Sequence, residues 1–113
     1  MSESAPGRLM VFSQRQLTLV QAAAHALVEQ LYLTPEEAVE VIGRAVRDEL
    51  AARQTTLEIL EAGSLADRTA FVRVVVGRVT DHLKKRGQYS EDRVRRATGE
   101  FMDALHRSWA QGL

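Results

Sequence analysis

The amino-acid sequence predicts an all-α fold, a single-domain bundle of four to five helices joined by short connections. Apolar residues recur at helical spacing over most of the chain, and a Ser or Thr stands at each expected helix start. With 113 residues, 45% of them hydrophobic, the chain is long enough for one core. We therefore divide it into residues 1–12, expected to be a flexible N-terminal arm with a short apolar run, and residues 13–111, the helical domain.

The first predicted helix begins at Ser13, which forms a capping box with Gln16. At 100° per residue its apolar side chains occupy two faces. The main stripe consists of Leu17, Val20, Ala24, Leu27, Val28 and Leu31. The second face consists of Leu19, Ala22, Ala23, Ala26 and Leu33. Because we expect a helix in a monomeric bundle to bury one broad stripe, the second face predicts an interface with a second copy of the chain or with another protein.

Cap residues mark the starts of three further helices. Thr34-Pro35 combines a cap with a proline at the first helical position. Ser64 begins a third helix that ends at Gly87, and Ser90 begins a fourth that runs to about Gln111. All connections between these helices are only a few residues long, which favours antiparallel neighbours.

Two features of these helices stay open at the level of sequence. The second helix either continues in register to Ala62 or breaks near Gln54, where Thr55 to Glu58 forms another capping box. The pair Glu49 and Arg53 inside its apolar sector favours the break, because a buried ion pair is costly unless it is well hydrogen-bonded.

The second open feature is the segment from Phe71 to Val79, whose five valines also fit a strand. The cap at Ser64 and the basic residues of the last turn favour a helix there.

Charge and composition exclude several classes of protein. Fifteen Lys and Arg balance fifteen Asp and Glu, so the formal net charge is zero. We therefore do not expect a protein that coats nucleic acid or an anionic membrane through its overall charge. The absence of cysteine excludes disulfides, thiolate metal sites and thiol nucleophiles. No run approaches the about 18 apolar residues of a membrane helix, and Met1 to Gly7 lacks a basic secretory start. We expect a cytoplasmic protein that does not bind membranes.

Neither an active site nor a cofactor site is predicted. His25, His82 and His106 lie on polar flanks, and Asp103 to His106 is the one acid-x-x-His spacing, whereas a di-metal bundle needs two. The serines at helix starts are explained as caps, and no Gly-rich phosphate loop is present. We therefore expect no enzyme activity, no cofactor or metal, and no small-molecule substrate.

A basic corner surrounds the turn between the third and fourth helices. Its members are Lys84, Lys85, Arg86, Arg93, Arg95 and Arg96. Residues 63–113 carry ten basic and six acidic side chains, whereas residues 1–62 carry five and nine, so the two parts have formal charges of +4 and −4. Such a corner can contact nucleic-acid phosphates, although an ordinary solvated surface accounts for the same residues.

These patterns predict a small helical protein–protein interaction or regulatory module that self-associates through its first helix. The expected partner is a second copy or another protein. The alternative is a nucleic-acid-binding regulator that uses the basic corner.

Overall fold

A computed structural model describes residues 12–112, which form five α-helices and a C-terminal π-helical segment. The helices are α1 (Gln14–Leu31), α2 (Pro35–Arg53), α3 (Leu57–Glu61), α4 (Leu65–Arg86) and α5 (Glu91–Leu105), and the π-helical segment is His106–Gln111. The all-α prediction is confirmed, and residues 12–112 contain no strand.

The predicted cap residues begin four of the five helices. The hydroxyls of Ser13, Thr34, Ser64 and Ser90 each accept a backbone N–H three residues on, at 3.0 to 3.2 Å. Full capping boxes form at Ser13 and Thr34, where a Gln or Glu side chain also accepts the N–H of the cap residue. Short-range hydrogen bonding therefore places these helix starts.

The second predicted helix breaks near Gln54, which is one of the two possibilities that the sequence left open. α2 ends at Arg53, and Gln54 adopts a left-handed backbone with φ 55°. The next helix starts at Thr56 rather than at the expected Thr55, because Ile59 N donates to Thr56 Oγ1 at 3.3 Å. The break turns α3 back so that its buried leucines, Leu57 and Leu60, join the core.

The valine-rich segment is helical. Val72, Val75 and Val79 are at most 2% exposed and recur at helical spacing within α4, while Val74 faces solvent. Burial along one side of a helix therefore outweighs the strand propensity of the individual residues.

The four long helices form a square. α1 packs against α2 and α5, and α4 packs against the same two helices. The interior includes Leu27, Ile42, Val75, Val79, Leu83 and Phe101, all fully buried. In such a square each helix has two neighbours, so two apolar faces on α1 are what a single chain requires. No helix within residues 12–112 is both long and apolar enough to cross a membrane.

Two predicted boundaries need correction, whereas the last helix ends at Gln111, as predicted. α1 ends at Leu31, and Tyr32 takes a left-handed backbone with φ 58°, so Leu33 lies in the connection to α2. Phe12 belongs to the core and not to the arm, because it is 9% exposed and packs beside Gly43. The rest of the predicted arm lies outside the described residues. The last helix widens into a π-helix at His106, where Trp109 and Ala110 stay buried.

Candidate functional site

The predicted interface face of α1 is largely covered by the chain itself. Ala23 and Leu33 are 1% and 4% exposed, so neither is available to a partner, and the prediction for these two residues is wrong. Leu19 and Ala26 are half-buried against the core, and Ala22 is exposed. The physical reason is the square packing, in which α2 and α5 cover both apolar sides of α1.

The exposed part of that face lines a groove between α1 and α5, which we call the α1–α5 groove. Its lining residues are Ala22, Ala23, His25, Ala26, Glu29 and Gln30 from α1, and Glu100, Asp103, Ala104 and Arg107 from α5. The groove encloses about 320 Å³. Four of the ten lining residues are alanines, whose short side chains leave this depression between the helices.

The walls of the α1–α5 groove are predominantly acidic. Three carboxylates, those of Glu29, Glu100 and Asp103, face one guanidinium, that of Arg107. Glu100 accepts from Gln30 Nε2 at 3.4 Å, a bond that joins the two walls. His25 Nε2 lies 3.3 Å from Glu29 Oε2, and both side chains are at least 64% exposed. The groove therefore combines a small apolar lining with a negative rim.

The six predicted cations are all exposed, but the structure does not bring them together on one surface. Lys85 lines a cleft between α2 and α4. Arg95 and Arg96 lie on the outer surface of α5, where Arg95 Nη1 is 3.3 Å from Asp92 Oδ1. Arg93 points instead toward Tyr32. The cations point in different directions because successive residues of a helix are 100° apart.

The remaining two members of the basic corner also differ in surroundings. Arg86 acts electrostatically on Glu37 at the start of α2, where the backbone N–H of Thr34 is the main cause that lowers the pKa of the Glu37 carboxyl. Lys84 has no ion pair with any residue from 12 to 112, and its backbone carbonyl accepts from Gly87 N at 3.1 Å. The corner is therefore a dispersed positive region.

Tyr32, an exposed aromatic residue beside the corner, is not among the residues that the sequence patterns single out. Tyr32 is 77% exposed. The Arg93 guanidinium lies 5.1 Å from the centre of its ring, and Arg93 Nη2 donates to the hydroxyl at 3.4 Å. The pair stacks a cation on one part of the ring and leaves most of it in solvent.

The described residues do not assemble a cluster of metal ligands. Residues 12–112 contain no group of three or more His, Asp or Glu side chains able to hold a metal ion. An interior cavity of about 20 Å³ lies beneath Phe12, lined by apolar side chains and Gln16. That volume is about what one water molecule needs.

Three surface features of the described residues are candidate sites: an acidic groove, an exposed aromatic–guanidinium pair, and a charged cleft between α2 and α4. Each is built by two helices or by a helix and a connection. Comparison of the chain with protein-family models, with curated proteins and with solved structures gives no match.

Proposed function

We propose that this chain is a small helical interaction module whose α1–α5 groove binds a basic helical segment of another protein. The observation that carries the proposal is the groove itself, with an alanine lining and three carboxylates on its walls. It has the organisation of many protein interfaces, in which a desolvated apolar strip is surrounded by a polar rim.

The alanine lining favours a helix as the bound element. Ala22 and Ala26 are one helical turn apart on α1, and Ala104 lies across from them on α5. Small side chains along the groove let a third helix approach closely, as in helix-in-groove recognition. Burial of even a short apolar strip stabilises such a complex, while the rim selects its partner.

Charge makes a second copy of the chain a poor partner for this groove. In a two-fold pair each groove would face its own counterpart, which would set Glu29, Glu100 and Asp103 of one copy against the same carboxylates of the other. Like charges across an interface disfavour association. The coverage of both apolar sides of α1 also removes the reason for expecting self-association there.

A pair of designed peptides tests the proposal. Titration of the ¹⁵N-labelled protein with an amphipathic Ala/Lys helical peptide is expected to shift the amide signals of Ala22, Ala26 and Ala104, and an Ala/Glu peptide of equal length is not. Ala22→Arg is expected to weaken binding about tenfold, because it places a cation in the groove.

Ala70→Arg is the matched control, because Ala70 is also an exposed alanine, it lies on α4, and the substitution adds the same charge. An equal loss for both variants, or shifts spread over other surfaces, would contradict the proposal. Light scattering over a hundredfold dilution is expected to give the mass of one chain, 12.6 kDa; a dimer that Ala22→Arg dissociates would restore self-association through α1.

The second candidate function is nucleic-acid binding, and the Tyr32–Arg93 pair favours it. An exposed aromatic ring beside a guanidinium can stack an unpaired base while neighbouring cations contact phosphates. The ring lies at the same end of the bundle as Arg86 and the start of α5, where Arg93 is located. This candidate therefore concerns single strands more than duplexes.

Fluorescence anisotropy with a labelled single-stranded oligonucleotide measures this second candidate. Tyr32→Ala is expected to weaken binding about tenfold, in keeping with about 1–3 kcal/mol per stacked base, whereas Tyr32→Phe keeps the ring and most of the affinity. Affinity should also fall steeply with salt. If Tyr32→Ala and Tyr32→Phe bind alike, stacking on this ring has no role.

A further inference from the structure

A cleft between α2 and α4 brings together nitrogen donors that are far apart in the sequence, and we call it the α2–α4 cleft. Its lining residues are Val41, Arg44, Ala45 and Asp48 from α2, and Arg78, Asp81, His82 and Lys85 from α4. It encloses about 230 Å³. Neither the α1–α5 groove nor the Tyr32–Arg93 pair includes any of these residues.

Cations surround His82 in the α2–α4 cleft. Arg44 and Lys85 line the cleft together with His82, and both of them, like Arg86, lie close enough to act on its charge. Burial is the main cause that lowers the pKa of His82, and the charges of Arg44, Arg86 and Lys85 lower it further. The three cations therefore add a positive contribution to the potential at the imidazole.

Both arginines of the cleft have a carboxylate partner. Arg78 Nη2 lies 3.0 Å from Glu49 Oε1, and Arg44 Nη2 lies 3.9 Å from Glu40 Oε2 on its own helix. Asp48 and Asp81 line the cleft and form no ion pair with another residue of the described chain. Lys85 likewise has no ion pair within residues 12–112, so no described carboxylate holds its ammonium group within 4.0 Å.

We propose that the α2–α4 cleft binds the phosphate group of a small soluble molecule, held by Lys85, Arg44 and the imidazole of His82. Lys85 and Arg44 supply charge-assisted hydrogen bonds, which are the strong ones for an oxyanion. The His82 ring donates one N–H when neutral and two when protonated. Asp48 and Asp81 line the same cleft and disfavour an anion next to their own carboxylates.

The proposal predicts a pH dependence with a definite sign. The groups that face His82 are Arg44 and Asp48 from α2 and Arg78, Asp81, Lys85 and Arg86 from its own helix. A bound dianion stabilises the imidazolium, so it raises the pKa of His82 relative to the free protein. By linkage, binding of an anion that does not itself titrate becomes tighter as the pH falls through the free pKa of His82.

Sulfate and pyrophosphate are suitable probes, because sulfate keeps both charges from pH 5 to 8. Proton NMR of the histidine rings is expected to show that saturating sulfate moves the titration of His82 to higher pH, while the ring signal of His25 on α1 does not move. Pyrophosphate binding measured by calorimetry is expected to weaken about tenfold in Lys85→Ala, which is the loss of about 1.4 kcal/mol.

Lys84→Ala is the matched control, since it removes the same charge one residue away and Lys84 does not line the cleft. A change below about twofold in that variant, with melting temperatures equal to wild type, supports the site. Equal losses in both variants would show non-specific attraction and overturn the proposal. An unmoved His82 titration, or binding only to vesicles that contain phosphatidic acid, would also overturn it.

Discussion

Glu61→Ala is expected to lower the free energy of unfolding by about 3 kcal/mol, since three donors lose their acceptor. The Glu61 carboxylate accepts from Arg15 Nη2 at 3.1 Å, Gln16 Nε2 at 2.5 Å and Trp109 Nε1 at 2.8 Å. Its side chain is 16% exposed, and Gln16 and Trp109 are each at most 4% exposed. The substitution would leave two buried donors without a partner.

Urea unfolding followed by circular dichroism and by the fluorescence of Trp109 measures this effect. Trp109 is the single tryptophan of the chain, so its emission reports directly on the contact. Glu58→Ala is the matched control, because Glu58 lies on the same short helix and is exposed. We expect Glu58→Ala to lower the free energy of unfolding by less than about 0.5 kcal/mol. If both variants unfold alike, Glu61 does not tie α3 to α1 and the π-helical segment.

The second large effect is expected at Glu49, where Glu49→Gln should destabilise the protein by about 2–3 kcal/mol at pH 7. Glu49 is 7% exposed, and its carboxylate accepts from Arg53 Nε at 2.6 Å and from Arg78 Nε and Nη2 at 3.1 and 3.0 Å. Arg53 in turn lies over the ring of Phe71, 5.5 Å from its centre. An amide in this position would keep the shape and remove the charge that both guanidinium groups need.

The same contacts make the effect of Glu49→Gln depend on pH. The hydrogen bond from Arg53 is the first cause that lowers the pKa of Glu49 below its ordinary value of 4.5, and it outweighs burial, which raises it. A carboxyl whose pKa is lower in the folded state stabilises the protein above the unfolded pKa and loses that contribution as the pH falls through the folded value. The difference in the free energy of unfolding between wild type and Glu49→Gln should therefore be largest at pH 7 and should decrease below about pH 4.5.

Asp48→Asn is the matched control for this titration, because Asp48 is the exposed neighbour and forms no ion pair with another described residue. The free energy of unfolding of Asp48→Asn should differ from that of wild type by less than about 0.5 kcal/mol across the titration. The pKa of Glu37 is also lowered. Glu37 is present in wild type and in both variants, so its contribution to the pH dependence cancels when their free energies of unfolding are compared. A Glu49→Gln gap that does not change with pH would show that shape, and not charge, is what Glu49 contributes.

Local chemistry made the helix starts predictable. A cap hydroxyl at Ser13, Thr34, Ser64 or Ser90 bonds a backbone N–H only three residues away, so the signal needs no knowledge of the rest of the chain. The break after α2 had local signals for both interpretations. The tertiary structure distinguishes between them, since Gln54 adopts a left-handed backbone and Leu57 and Leu60 of α3 are buried in the core.

The candidate sites were less predictable, because exposure depends on which helices become neighbours. Ala22 and Ala23 are adjacent alanines on α1, yet one is exposed in the α1–α5 groove and the other is 1% exposed. Arg44 and Lys85 share a cleft although they are far apart in the sequence. The cations of the basic corner are close in sequence and nevertheless lie on different surfaces.

By itself, the sequence determined that this chain is helical, where four of its helices begin, and that α1 is apolar on two sides. Those properties arise from hydrogen bonds and side-chain spacing within one or two turns. Only the tertiary structure decided what covers those two sides, which cations share a cleft, and that Glu61 joins residues 45 and 48 positions away in sequence. These features depend on how helices far apart in the sequence pack together. The same apolar pattern is compatible with several packing arrangements, and only the assembled core selects one of them.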